Sequence, residues 1–333
     1  MDEPILCIEG LCVQFDTSEG AVKAATDVSL SLRRGTTLAI TGESGAGKTS
    51  VGLAVLNLLP YSGRITAGRI RFDGKDILEL SPEEVRQIRG SEIAMVFQDA
   101  ATSLNPVLSV SEQVEEIITA HLPVSKREAR SRGLDVLARM GLPEPEEVAQ
   151  RYPFHLSGGM AQRVMIAIAT ALNPRILIAD EPTSALDVTV QAAILEDLRR
   201  LQQMRGTSIL LITHDLGVVA QMADEVAVMY AGSVVERGGA RAVFEQPRHP
   251  YTWALLSSRP RWDQDKTKPL PAIRGAPPNL IELTDECPYL ARCPKATSLC
   301  RTERAPALAD ISPEHAVACY NPVYAAGADA SPA

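Results

Sequence analysis

Eight residues, Gly42-Glu43-Ser44-Gly45-Ala46-Gly47-Lys48-Thr49, follow the apolar run Leu38-Ala39-Ile40 and match G-x-x-x-x-G-K-[ST] at every required position. Glycines there cost backbone entropy and give nothing to a core. They supply bare N–H groups that can wrap phosphate oxygens, at the start of a helix whose dipole favours anions. Lys48 can reach the β and γ phosphates of a nucleoside triphosphate. The Thr49 hydroxyl, followed by Ser50, can ligate Mg2+. The alternative is a plain glycine-rich turn; an apolar strand before and a helix after argue against it.

A phosphate loop needs an acidic partner for the metal, and ILIADEP at 176–182 offers one. Asp180 ends an apolar strand and is placed to hold Mg2+, through water. Glu181 follows and is placed to polarise an attacking water as general base. By itself the pair reads as two solvated acids at a strand end; a phosphate loop in the same chain favours the catalytic reading.

The elements that must position these groups alternate. Residues 5–15 and 28–32 alternate apolar and polar, as half-buried strands do. Leu38-Ala39-Ile40 is a short buried strand. Val51, Ala54, Val55, Leu58 and Leu59 mark one face of a helix expected to stop at Pro60. Ser81, Pro82 and Glu84 open a helix with a capping box. Residues 111–140 are helical in pattern and highly charged, as a separate small subdomain would be. Beyond Ser157 come a helix at 165–172, a buried strand at 176–179, a helix face at Val190, Ile194, Leu198 and Leu201, and a buried strand at 209–212. Buried strands alternating with helices imply an α/β fold with a largely parallel sheet. After Pro247 prolines multiply and periodicity fades, which suggests a small appended domain over 247–322 and a loose tail over 323–333.

Composition narrows the classes. Of 333 residues 45% are hydrophobic, which excludes global disorder. The net charge of −8 argues against a broad nucleic-acid surface. No apolar run reaches the ~18 residues of a membrane span, and the acidic start MDEPILCIEG lacks the basic opening of a signal peptide. The expectation is a soluble cytoplasmic protein that meets a membrane only through partners.

Four of six cysteines crowd near the end, spaced Cys287-x5-Cys293-x6-Cys300-x18-Cys319. In a reducing compartment such a group reads as metal ligands before disulfides. Structural zinc usually has tight C-x2–4-C pairs, absent here. Four thiolates on irregular loops suit a four-iron four-sulfur cluster. Zinc and free thiols remain the alternatives. Cys7 and Cys12 read as small strand residues.

Further motifs carry a resemblance. LSGGMAQR at 156–163 resembles the signature of ATP-binding cassette (ABC) ATPases. Gln98 in VFQD resembles that family's Q-loop glutamine, SALD at 184–187 its D-loop, and His214 in LITHD its switch histidine. Phe15 stands where the family stacks an aromatic on adenine. The fifth signature position is Met160 where glutamine is usual, but Ser157, Gly158 and Gly159 are intact. The resemblance implies a P-loop core over 1–98 and 160–246 with an antiparallel β subdomain, and a helical signature subdomain over 99–159. It implies that Ser157, Gly158 and Gly159 close over ATP held by a second cassette subunit, identical or homologous. His214 would then bond the γ phosphate, and Gln98 would touch Mg2+ or the attacking water.

SLNPVLSVSEQV at 103–114, RHPYTWALLSSRP at 248–260 and the cysteine tail through HAVACY at 315–320 resemble the oligopeptide and dipeptide importers of that family. Some members carry a four-iron four-sulfur cluster in this tail. The implied function is ATP hydrolysis coupled to uptake of di- or oligopeptides. The implied partners are two transmembrane permease subunits and an extracytoplasmic solute-binding protein, with the chain at the cytoplasmic face of the membrane. Nickel or another small solute is an alternative cargo. A soluble cassette acting on nucleic acid is a different reading, disfavoured by the acidic charge and the single phosphate loop. A regulatory, non-hydrolysing cassette is disfavoured by intact Lys48, Asp180, Glu181 and His214.

Overall fold

The computed structural model describes residues 3–259 and 272–324. In chain order the elements are β1 (Leu6–Thr17), β2 (Gly20–Leu32), β3 (Thr37–Thr41), α1 (Lys48–Val55), β4 (Gly63–Phe72), β5 (Lys75–Asp76), α2 (Pro82–Ile88), β6 (Ile93–Val96), α3 (Ala100–Ser103), α4 (Val110–His121), α5 (Lys126–Arg139), α6 (Pro145–Gln150) and α7 (Gly158–Thr170). There follow β7 (Ile176–Asp180), α8 (Val188–Arg205), β8 (Ser208–Ile212), α9 (Leu216–Met222), β9 (Glu225–Tyr230), β10 (Ser233–Gly239), α10 (Ala240–Glu245), α11 (Pro250–Ser257), α12 (Leu299–Thr302), β11 (Ala309–Ser312) and β12 (His315–Val317). They fall into two compact units.

One unit holds Met1–Leu6, Leu32–Thr37 and Arg71–Ile212. Strands β6, β7 and β8 run parallel in it, with Met95 opposite Ile178 and Ala179 opposite Leu211. All three are buried along their whole length, which explains their unbroken apolar runs. The charged stretch near 111–140 resolves into α4 and α5, separated at Pro123. Ser109 and Glu112 cap α4 reciprocally and Ser125 caps α5. The capping box of α2 is the one read from Ser81 and Glu84.

The other unit holds Cys7–Ser31, Leu38–Ile70 and Thr213–Ala333. Here β3 pairs in parallel with β9, Ile40 opposite Ala227. Strand β9 pairs antiparallel with β10, β10 with β12, and β12 with β11. A second, antiparallel layer runs β2, β1, β4. Helix α1 ends at Val55, not at Pro60. Asn57 takes a left-handed conformation (φ 50) and its N–H folds back to the Ala54 carbonyl, so asparagine stops the helix before proline is reached. Leu58, expected on the buried face, is 38% exposed.

The described residues after Pro247 belong to this same unit. Its strand β12 extends the sheet, Glu236 opposite Val317. The Glu236 side chain is fully buried and accepts three hydrogen bonds: from Arg248 N (2.7 Å), His249 N (2.8 Å) and His315 Nε2 (2.7 Å). One carboxylate thus fastens α11 and β12 to β10. The tail expected over 323–333 lies outside the described residues beyond 324.

Replacing Glu236 by Ala strands the buried His249 N–H, the part-buried Arg248 N–H and an imidazole, at roughly 3 kcal/mol or more. The expected result is a melting temperature lower by at least about 5 °C, with faster amide exchange at 315–317. Calorimetry and hydrogen exchange check it; an unchanged midpoint would contradict the anchoring role.

Candidate active site

In the second unit the loop between β3 and α1 is shaped by its own neighbours. A Cβ on Gly42 (φ 148) would lie 2.1 Å from the Met229 carbonyl oxygen, and one on Gly47 (φ 95) 1.9 Å from that of Ala24. Gly45 (φ 78) has nothing within 4 Å of such an atom. Two glycines are therefore required by the chain itself, while the third leaves backbone open to a ligand. Ala46 is buried and its carbonyl accepts from Gly232 N (3.1 Å).

Lys48 opens α1 and is 7% exposed. Its Nζ donates to the carbonyls of Gly42 and Glu43, both at 2.9 Å, so the ammonium sits inside the curl of the loop. Ser44 and Thr49 are exposed beside it, and Ser50 is half-buried. His214 is exposed just after buried Thr213, whose N–H donates to Ile40 O (3.1 Å) at the end of β3. Asp215 caps α9. The Phe15 ring packs against Gly63, where a Cβ would meet it at 2.6 Å.

In the first unit Asp180 and Glu181 lie at the carboxyl end of β7, the end where open α/β sheets bind ligands. They are 2% and 8% exposed. Glu181 holds φ 48, which strains a non-glycine residue. Its N–H donates to Ile212 O (2.8 Å) and its carbonyl accepts from Ser184 N (3.1 Å). The Ser184 hydroxyl donates to the Gln98 carbonyl (3.2 Å), joining the segments read as D-loop and Q-loop. Ser157 caps α7 through Met160 N, and a Cβ on Gly159 would meet Val190 Cγ1 at 2.6 Å. The bare start of α7 is thus packed against the start of α8.

The four late cysteines converge on one small cavity, also lined by Tyr289. Burial pushes the Cys287 and Cys293 thiols up and Cys319 up to about 11, with neighbouring thiols adding to each. All are free thiols. Among the described residues no three His, Cys, Asp or Glu side chains stand ready-arranged around a metal position. The four thiols suit a metal in kind and share one cavity, but their arrangement holds no metal position ready-made.

Two residues here escaped the sequence reading. The Tyr251 hydroxyl accepts from Glu43 N (2.8 Å), and Arg292 forms a two-pronged pair with the Glu43 carboxylate. The segment His-Pro-Tyr-Thr held part of the signal. His249 Nδ1 caps α11 by accepting from Tyr251 N, and burial holds that imidazole down to about 3, hence neutral. What tyrosine and arginine meet, 208 and 249 residues away, has no local mark.

Comparison with known proteins gives consistent matches. The sequence profile described as ABC transporter matches residues 25–184, and that of the oligopeptide/dipeptide transporter C-terminal region matches 235–300. A dipeptide transport ATP-binding protein of Bacillus subtilis (strain 168) is 48% identical over 90% of this chain and 89% of its own. A dipeptide transport ATP-binding protein of Escherichia coli (strain K12) is 44% identical over 97% and 98%. Among solved structures, the ATP-binding cassette MJ0796, a dimer in a post-hydrolysis state with ADP and phosphate, superposes with TM-score 0.64 at 30% identity, over 71% of this chain and 99% of that one.

The two kinds of glycine make a test. Gly45→Ala adds only backbone strain, about 1 kcal/mol. Gly47→Ala adds that strain and a clash with Ala24 O. Gly47→Ala is expected to lower the melting point further than Gly45→Ala and to weaken nucleotide binding at least about tenfold. Thermal melts and nucleotide titration of both variants check it; equal effects on the melting point would contradict the packing argument.

Proposed function

The chain belongs to the ABC transporter family, and on that premise we propose that it is the ATP-hydrolysing subunit of an importer of di- and oligopeptides. The carrying observation is the phosphate loop, with Lys48 buried in a cradle of bare backbone. The match of residues 235–300 to the oligopeptide/dipeptide C-terminal region supports the cargo class. The chain is an ABC-type ATPase.

The roles follow from chemistry. Gly42 through Ser50 hold the phosphates, with Lys48 on the β and γ groups. Thr49, Asp180 and Gln98 would hold Mg2+, which when bound neutralises charge on those phosphates. Glu181 takes the proton of the attacking water; its strained backbone and Ser184 contact hold it in one place. His214 donates to the γ phosphate, and Phe15 stacks on the base. Ser157, Gly158 and Gly159 present a second helix start suited to anions, serving ATP on a partner cassette.

The partners are a second cassette, two permease subunits and an extracytoplasmic solute-binding protein. No described helix is long and apolar enough to cross a membrane. In this reading the chain attaches at the cytoplasmic face through the permease. A groove lined by Met95, Phe97, Leu104, Ile117, Met165 and Ile168, with Phe97 40% exposed, supports docking of an apolar permease segment. We assign 1–98 and 160–246 to the ATPase core, 99–159 to the helical subdomain and 247–322 to the extension. Cys287, Cys293, Cys300 and Cys319 would hold a four-iron four-sulfur cluster whose contribution is structural, tying together a segment poor in apolar residues. Their convergence on one cavity supports this.

Glu181→Gln removes the base and leaves the phosphate cradle intact. Turnover in the assembled importer is expected to fall at least about 100-fold, with ATP affinity within about twofold. Wild-type turnover would overturn the base assignment. Protein purified without oxygen is expected to be brown with about four irons per chain, and Cys293→Ser to lose both. One zinc, or no metal, would overturn the cluster.

A further inference from the structure

A glutamate is an odd residue inside a loop that receives a polyphosphate. The Glu43 carboxylate lies one residue into the loop, and its field opposes the anion the loop must hold. The chain meets this with Arg292. Its Nη1 donates to Glu43 Oε2 at 2.7 Å and its Nη2 to Oε1 at 3.1 Å, with the Arg292 side chain 5% exposed and that of Glu43 25% exposed. This is a parallel two-pronged pair, the strong geometry for a guanidinium and a carboxylate.

The surroundings show a built contact. Arg292 also donates to the Tyr230 hydroxyl (3.2 Å), and through Nε to the Arg274 carbonyl (2.8 Å). Tyr230, Tyr251 and Tyr289 pack edge-on or tilted with centroids 4.6 to 5.4 Å apart, each at most 1% exposed. From that cluster the Tyr251 hydroxyl accepts the Glu43 N–H, while the Glu43 carbonyl accepts from Lys48 Nζ. Glu43 is thus gripped at carboxylate, N–H and carbonyl, and its carbonyl orients the phosphate-binding lysine. With its donors spent on the protein, Arg292 does not itself reach a phosphate.

The turn carrying Arg292 is flanked by two cavity cysteines. Leu290 N donates to Cys287 O (2.9 Å), Arg292 N to Tyr289 O (3.0 Å) and Cys293 N to Leu290 O (3.3 Å). The cysteine-bearing turn and the phosphate loop are one hydrogen-bonded assembly within one compact unit.

We propose that Arg292, supplied by the C-terminal extension, is a positioning residue of the phosphate loop: it neutralises Glu43 and fixes the backbone that presents Lys48 to the nucleotide. This rests on the reading of the loop as an ATP site. Arg292 acts through Glu43, so removing the cation leaves an unpaired carboxylate facing the incoming phosphates, and removing that carboxylate as well lifts the penalty.

The test uses the assembled importer and reads ATP turnover and ATP binding. Arg292→Gln is expected to raise KM and Kd for ATP about tenfold, with kcat changed less than about twofold. Adding Glu43→Gln to Arg292→Gln is expected to restore both to within about threefold of wild type. Arg248→Ala, which frees the contact with Val323 O near the end of the described chain, should leave them unchanged. A normal KM in Arg292→Gln overturns the proposal. So does a raised KM that Glu43→Gln fails to rescue, since that marks an effect of loosening the extension. If wild-type protein neither binds nor hydrolyses ATP, the functional reading fails first and takes this inference with it.

Discussion

No side-chain atom fits on Gly42 or Gly47, because the carbonyls of Met229 and Ala24 already stand about 2 Å from where it would be. The unit around the phosphate loop is arranged about that closeness. Met229 belongs to β9, whose parallel pairing with β3 fixes the height at which its carbonyl meets the loop. Ala24 belongs to β2 in the antiparallel layer. The loop is therefore walled by backbone from both layers, and its glycines answer to the fold as well as to a ligand. Of the loop's three glycines, Gly45 alone has no atom within 4 Å of where a Cβ would stand, and it lies beside exposed Ser44, so this stretch of backbone is open to phosphate.

The other unit uses a different device. Its acidic pair is set by strain and burial. Asp180 still belongs to the parallel ladder, paired with Ile212, while Glu181 turns out of it in a left-handed conformation with its N–H donated to Ile212 O. Such a turn costs of order 1–3 kcal/mol and persists where neighbours over-determine it. The bond from Ser184 N and the Ser184–Gln98 contact supply that determination. At the start of α7, glycine is demanded by Val190 of α8, so a bare helix N-terminus arises from packing. In both units a feature shaped for anions or water is held by neighbours that touch neither.

Much of this was legible from local pattern. The phosphate loop, the apolar runs of β3, β7 and β8, and the capping residues Ser81 and Glu84 each leave a short-range mark that physics ties to one conformation. At the end of α1 the proline at 60 is a louder signal in the sequence than the asparagine at 57, yet the asparagine acts first. The strands β9, β10 and β12 were not anticipated. In β10 a polar Glu236 occupies a fully buried position, which breaks the apolar run, and its partners come from residues 248, 249 and 315. The Arg292–Glu43 pair was invisible for the same reason: a long-range polar contact leaves no periodicity at either end.

The extension joins the phosphate-loop unit although it brings little apolar surface, and polar contacts explain how. Its strand β12 extends the sheet through Glu236 and His315, its aromatic cluster is completed by Tyr230 of β9, and Arg292 reaches the loop itself. Such contacts are directional and depend on geometry, unlike a greasy interface that tolerates slippage. If Arg292 sets the loop, coupling must run both ways. Whatever orders the turn between Cys287 and Cys293 favours the loop geometry that binds ATP. ATP bound in that loop then favours the ordered turn by the same free energy. A segment poor in core residues can in this way gain order from the nucleotide it helps to bind, without contacting that nucleotide.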